Sequence, residues 1–211
     1  PGLIYEPQDF GLAPSYPARN QDIDLGCYAL VPPDPCFTAA QTLFSVNAQP
    51  WLLGEGTGVI ASALASDGYG WQLGMDGQGG LGFTYAPADG TPCQLHLAGA
   101  LRRKTWTRIW AGYDTSTGTL ILGCQDCVGG KARTTSMSAP LQPLPKSVPL
   151  ILAARKTGQL SCNHFNGRLE DPAFFDGLNW AHGVPPRSGS SPHGAVLAWW
   201  DFSIGTETYT F

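Results

Sequence analysis

Apolar and polar residues along this chain fall into short runs broken by turn residues, the pattern of strands rather than helices. The most ordered run is RRKTWTRIWAGYDTSTGTLILGCQD, residues 102–126. Thr105–Tyr113 is rich in aromatic and β-branched residues, which suit a pleated, half-buried surface. Asp114 to Gly118 is a polar turn ending in a residue that tolerates positive φ, and Thr119–Cys124 reads as the return arm of a long hairpin. Trp106 and Trp110 share one face of the first arm, while Ile109, Ala111 and Tyr113 share the other. With apolar groups on both faces, the hairpin is expected inside a two-layer stack.

The other runs follow the same logic. Strands are expected at Gln21–Val31, Gln41–Val46, Trp51–Gly54, Val59–Ala65, Tyr69–Met75, Leu81–Tyr85, Gln94–Leu97, Leu150–Arg155, Phe165–Phe175 and Ala195–Phe202. Asn47–Pro50 is read as a break between the second and third, and residues 76–80 as the turn of a Tyr69–Tyr85 hairpin. Pro172 predicts a bulge or a strand edge. Residues 1–20, with prolines at 1, 7, 14 and 17, form an extended lead-in that packs along a sheet edge. Residues 128–146 read as an exposed connection with one weak strand. The expectation is about a dozen short strands, almost no helix, and a single domain over residues 21–211.

Composition agrees. A chain of 211 residues fits one all-β unit, and 27 glycines, 18 prolines and only 13% charged residues imply many turns. A net charge of −4 argues against nucleic acid, which needs a basic stripe. The only dense basic run, Arg102-Arg103-Lys104, is read as a solvated strand end in preference to an anion site. No apolar run reaches about 18 residues, so no membrane partner is expected. The opening Pro1-Gly2 carries no signal-peptide pattern, and the missing initial Met suggests an excised or processed piece. Six cysteines occur without any Asn-x-Ser/Thr sequon, which favours reduced thiols and a cytoplasmic location.

Three motifs carry a resemblance: Lys104-Thr105-Trp106-Thr107-Arg108 with Ala111-Gly112-Tyr113-Asp114, then Gly118-Thr119-Leu120, then His164-Phe165-Asn166-Gly167-Arg168-Leu169-Glu170. In this order, over roughly residues 21–202, the chain resembles laminin-G-like, concanavalin A-like jelly rolls. That resemblance implies an antiparallel β-sandwich. HFNGRLEDPAFFD and AWWDFS look closest to the laminin-G-like domain of the N,N-dimethylformamidase large (β) subunit family. There the module belongs to a larger iron-dependent amidohydrolase acting on a formamide-type C–N bond, with the chemistry in another domain. The implied role is packing against other domains or subunits of a parent protein. No metal ligand of that enzyme carries over to these residues.

Candidate chemistry is sparse. Only Glu6, Glu55, Glu170 and Glu207 are available, and no Glu-x-Asp-x-Glu strand occurs. Glu170 and Asp171 are adjacent, so strict alternation puts them on opposite faces and leaves an atypical glycoside hydrolase as a minor alternative. There is no Gly-x-Ser-x-Gly, and no cofactor is implied in this chain. Cys124, Cys127, Cys162 and His164 offer thiolates and an imidazole of the kind that close a structural zinc site, with chance thiols or a local disulfide as the alternative. Calcium would need oxygens such as those of Asp76, Asp114 and Asp126 to converge. A carbohydrate-binding role needs exposed aromatics for sugar stacking. The loop-adjacent Trp51, Trp71 and Trp180 are the candidates, although most of the seven tryptophans must be core and such a residue more often serves packing or an interface.

Overall fold

The computed structural model describes residues 4–6, 28–34, 41–51, 58–88, 91–114, 116–127, 130–139, 147–157, 160–177 and 196–200. Seven strands pair antiparallel in the order β1 (Ile4–Glu6), β2 (Tyr28–Val31), β11 (Leu150–Leu152), β4 (Gly58–Leu64), β5 (Gly70–Met75), β6 (Leu81–Ala86) and β7 (Cys93–Leu97). Six more form a second antiparallel sheet: β10 (Arg133–Ser138), β9 (Thr119–Asp126), β8 (Thr107–Asp114), β3 (Gln41–Pro50), β14 (Gly167–Asp176) and β15 (Val196–Trp199). A separate hairpin joins β12 (Arg155–Thr157) to β13 (Leu160–Cys162). The chain crosses between the two main sheets after β2, β3, β7 and β10, and again from β11 through the β12–β13 hairpin to β14, so each sheet interleaves distant segments. This is an all-β, concanavalin A-like, laminin-G-like antiparallel sandwich. Among the described residues there is no helix, and so none long and apolar enough to cross a membrane.

Period-two alternation builds the interior. From the seven-stranded sheet, Trp71, Leu73 and Met75 enter beside Leu81, Phe83 and Tyr85. From the six-stranded sheet, Phe44, Val46 and Ala48 meet Ile109, Ala111 and Tyr113, with Leu120 and Leu122 behind. Aromatic rings link the layers: Trp71 lies 5.7 Å from Phe44, 6.1 Å from Phe83 and 6.2 Å from Phe174. The Tyr85 and Tyr113 rings lie 4.4 Å apart, and burial pushes the Tyr85 phenol far above its ordinary range.

The hairpin of residues 102–126 lies in the middle of its sheet. Thr107 pairs with Asp126 at one end and Asp114 with Thr119 at the other, and Gly118 has the positive φ (62°) that the turn needs. Asp114 holds this turn together. Its Oδ1 accepts from Ser116 Oγ at 2.6 Å, Ser116 N at 2.8 Å and Thr117 N at 3.3 Å. Burial alone would raise the Asp114 pKa, but these donors outweigh it and hold the carboxyl below its usual value. The folded state thus binds this proton less tightly than the unfolded chain. Its stabilisation is complete above about pH 4 and is lost as pH falls through the lower folded value. In denaturant titrations between pH 7 and pH 2, Asp114→Asn should show a flatter acid limb than the parent. Parallel limbs would show that this carboxylate is not linked to folding.

Several expected boundaries shift. Gln41–Pro50 is one continuous ten-residue strand that runs through the break expected at Asn47–Pro50, while residues 52–54 of the strand expected at Trp51–Gly54 lie outside the described residues. Cross-strand partners hold its polar half in place: Asn47 sits opposite Arg108 on one side and Glu170 on the other. Leu150–Arg155 divides at Ala153, whose φ is +67°. The weak strand expected within 128–146 is β10, fully paired along β9. The first segment of the lead-in, β1, lies at the sheet edge against β2. Pro172 does mark a bulge: the β3–β14 register shifts between Glu170 and Ala173, and Asp171 takes φ +50°.

Candidate functional site

The six-stranded sheet carries apolar groups on both faces. On β3, Phe44, Val46 and Ala48 point into the sandwich, so Leu43, Ser45, Asn47 and Gln49 project from the other side. One half of that outward face is apolar. Leu43, Trp110, Ala173 and Phe175 form a second buried cluster, with Ile121 against it. Gly123, directly opposite Trp110, is what lets the indole lie across β9. A Cβ there would stand 2.2 Å from Trp110 Cε2.

The other half of the face is polar. Arg108 Nε donates to Asn47 Oδ1 at 3.0 Å, and Asn47 Nδ2 donates to Asp171 Oδ2 at 3.1 Å. The bulge turns Asp171 onto the row that Glu170 already occupies opposite Asn47, which corrects the opposite-face expectation for these two acids. The Cys127 thiol lies 4.0 Å from the same Asn47 Oδ1. Desolvation pushes its pKa up while Arg108 pulls it down, and the net direction is up. It is a protonated thiol at neutral pH.

Trp51 follows immediately at the end of β3 and is 43% exposed. Three chain segments hold it. Its N–H donates to Asn166 O at 2.9 Å, its carbonyl accepts from Arg103 Nε at 2.7 Å, and the Arg168 guanidinium lies over the indole, 5.2 Å from the ring centroid. The neighbouring turn is tied down as well. Lys104, at φ +56°, donates its N–H to Pro50 O at 2.7 Å, and its carbonyl accepts from Gln49 Nε2 at 3.2 Å. The result is an exposed aromatic plane on a fixed backbone, flanked by guanidinium and amide groups.

The other sequence candidates land elsewhere. Trp71 is only 4% exposed and fills the space between the sheets, so it cannot stack against a sugar. Trp180 lies outside the described residues. The four candidate metal ligands do not converge. Cys124 on β9 points into the core, whereas Cys127, just past the end of β9, lies by Asn47 on the outward side of the sheet. Cys162 accepts from Arg155 Nε at 3.5 Å, and the His164 ring packs 6.2 Å from Tyr28. None of Cys93, Cys124, Cys127 and Cys162 is in a disulfide. Asp114 and Asp126 stand at opposite ends of the β8–β9 hairpin, roughly 23 Å apart by strand rise, so they share no calcium. Asp76 is taken up by its own turn, accepting from Gln78 N and Gly80 N and meeting His96 Nε2 at 3.0 Å. Among the described residues, no three His, Cys, Asp or Glu side chains group as a metal site.

The sequence does not single out Arg168, Asn47 or Gln49 as site residues, and it favours a solvated strand end over an anion site for the Arg102-Arg103-Lys104 run. Arg168 lies in the HFNGRLED motif, but nothing in one dimension places it over Trp51, 117 positions earlier.

No family model matches the chain, and no curated protein matches it in sequence. Solved structures do share the architecture. Tailspike protein 2 of the Escherichia coli O157:H7 bacteriophage CAB120 superposes with a TM-score of 0.54 at 14% identity, over 71% of this chain and 21% of its own. A heptameric SAP-like pentraxin from Limulus polyphemus gives 0.51 at 13% identity, covering 82% of both chains. The LG1-3 region of the laminin α2 chain gives 0.55 at 11% identity, over 70% of this chain and 30% of that one. This chain thus spans about a fifth of the tailspike and under a third of the laminin region. At these identities what is shared is the fold, a laminin-G and pentraxin type of β-sandwich.

Proposed function

We propose that this sandwich is a non-catalytic recognition module that binds a glycan at Trp51. The observation that carries the reading is the indole itself, exposed at the rim of a sheet yet fixed through Asn166, Arg103 and Arg168. A pyranose presents C–H groups to an aromatic face and hydroxyls to its edge, and a preorganised plane loses little entropy on binding. The Gln49 amide and the Arg168 guanidinium, both reached by solvent, supply the polar contacts. Titration against a glycan panel by calorimetry is expected to give micromolar binding that Trp51→Ala weakens at least tenfold, with the unfolding midpoint unchanged. Undiminished binding by Trp51→Ala would move the site elsewhere.

A second reading is favoured by a different observation. On β15, at the edge of the six-stranded sheet, Val196 is 46% and Trp199 51% exposed, and by register they continue the apolar half of the outward face through Phe175 and Ala173. Such an apolar margin suits packing against another domain or subunit. In that reading the chain is the interaction module of a dimethylformamidase-like amidohydrolase. The gene around these residues tests it: an adjoining α/β catalytic domain supports it, and its absence counts against it.

A further inference from the structure

Building on the glycan reading, we infer that the sugar recognised at Trp51 is acidic, carrying a carboxylate or sulfate that the surrounding guanidinium groups receive. The chain is acidic as a whole, at −4, yet five of its 12 Lys and Arg residues stand around this patch: Arg102, Arg103, Lys104, Arg108 and Arg168. They come from the β7–β8 connection, β8 and β14, which the fold brings together. Their neighbours divide them into two groups. Arg102 lies 3.9 Å from Asp126, and Arg108 holds Asn47, which in turn holds Asp171. Arg103 and Arg168 instead bond or stack directly on Trp51, and both are exposed with Lys104 beside them. Among the described residues two acids share the face near Arg168: Asp171, which accepts from Asn47, and Glu170, two positions along β14.

Two planar, permanently charged forks beside one aromatic plane match a ring that bears an anionic group on its edge. The ring stacks on the indole face that Arg168 does not cover, while a guanidinium takes the two oxygens side by side. A neutral sugar would use the indole and gain nothing from these charges. A polyanion without a saccharide face would use the cations and not the indole.

The test uses the full chain and four probes: a chondroitin sulfate tetrasaccharide, an oligogalacturonate, neutral maltotetraose and a single-stranded oligonucleotide. Binding of either acidic sugar at least tenfold tighter than maltotetraose is expected, weakened about fivefold by Arg168→Gln and falling as salt rises from 50 to 300 mM. Because chondroitin sulfate bears carboxylates as well as sulfates, loss of its binding on desulfation identifies sulfate as the group received, and undiminished binding identifies the carboxylate. Glu170→Gln is expected to tighten the acidic sugar about twofold, a gain that general damage to the fold would not give. Maltotetraose bound as tightly as the acidic sugars, at Trp51 and without salt dependence, would overturn the charge inference and leave the glycan reading standing. Binding of no sugar would remove both. An oligonucleotide bound more tightly than every sugar would overturn the inference in favour of a phosphate backbone.

Discussion

Trp71→Ala should lower the unfolding free energy by about 4 kcal/mol, whereas Trp51→Ala should lower it by less than about 1 kcal/mol. Both tryptophans stand near loops in the sequence, and the opposite outcomes follow from where the pleat sends them. Trp71 is 4% exposed and touches rings from three other strands, Phe44, Phe83 and Phe174. Its removal opens a void between two sheets that cannot collapse without sliding one layer over the other. Trp51 loses only its cation–π contact with Arg168 and some exposed area. Urea denaturation of both variants checks the pair. Equal losses would mean that Trp51 is a structural plug rather than a recognition surface.

Gly123→Ala should cost about 3 kcal/mol, a large effect for one methyl group on a strand. The added carbon would lie 2.2–2.4 Å from three atoms of the Trp110 indole, and that ring is 2% exposed among Leu43, Ala173 and Phe175. A buried indole has no flexible end to swing aside, so either the ring leaves its rotamer or β9 moves away from β8. The clash is mutual, so shrinking the partner should relieve it. Gly123→Ala combined with Trp110→Leu is expected to cost less than the sum of the two single changes by more than about 1 kcal/mol. Additive losses would show that the glycine serves some other purpose.

Much of the fold could be read from alternation alone. Trp110 against Ile109, Ala111 and Tyr113 announced a strand buried on both faces, and the two apolar clusters of the six-stranded sheet are the outcome. The Asp114–Gly118 turn and the Pro172 bulge were equally legible, because glycine and proline limit φ whatever surrounds them. The misreadings have physical causes. Asn47, Gln49 and Pro50 are poor strand residues in isolation, and only long-range partners at Arg108, Glu170 and Arg168 keep them extended. For Trp71 the packing reading holds over the sugar-stacking one, and the signal was in the sequence: it shares the pleat with Leu73 and Met75, which marks it as inward. Glu170 and Asp171 defied strict alternation because the bulge inserts one residue into the count. The site itself was visible only as an isolated Trp51, since stacking by Arg168 and bonding by Arg103 depend on segments that sequence distance keeps apart.

The outward face of β3, β8 and β14 has its filler at one end and its wet, charged row at the other. The same three ribbons thus act as both mast and signboard. Side chains at 49, 51 and 168 can be exchanged for others of different polarity without disturbing a single residue of the aromatic interior, because the pleat and about 10 Å of strand separate them. The scaffold is in that sense modular, and a change of ligand needs only a new inscription on a rim that stays put.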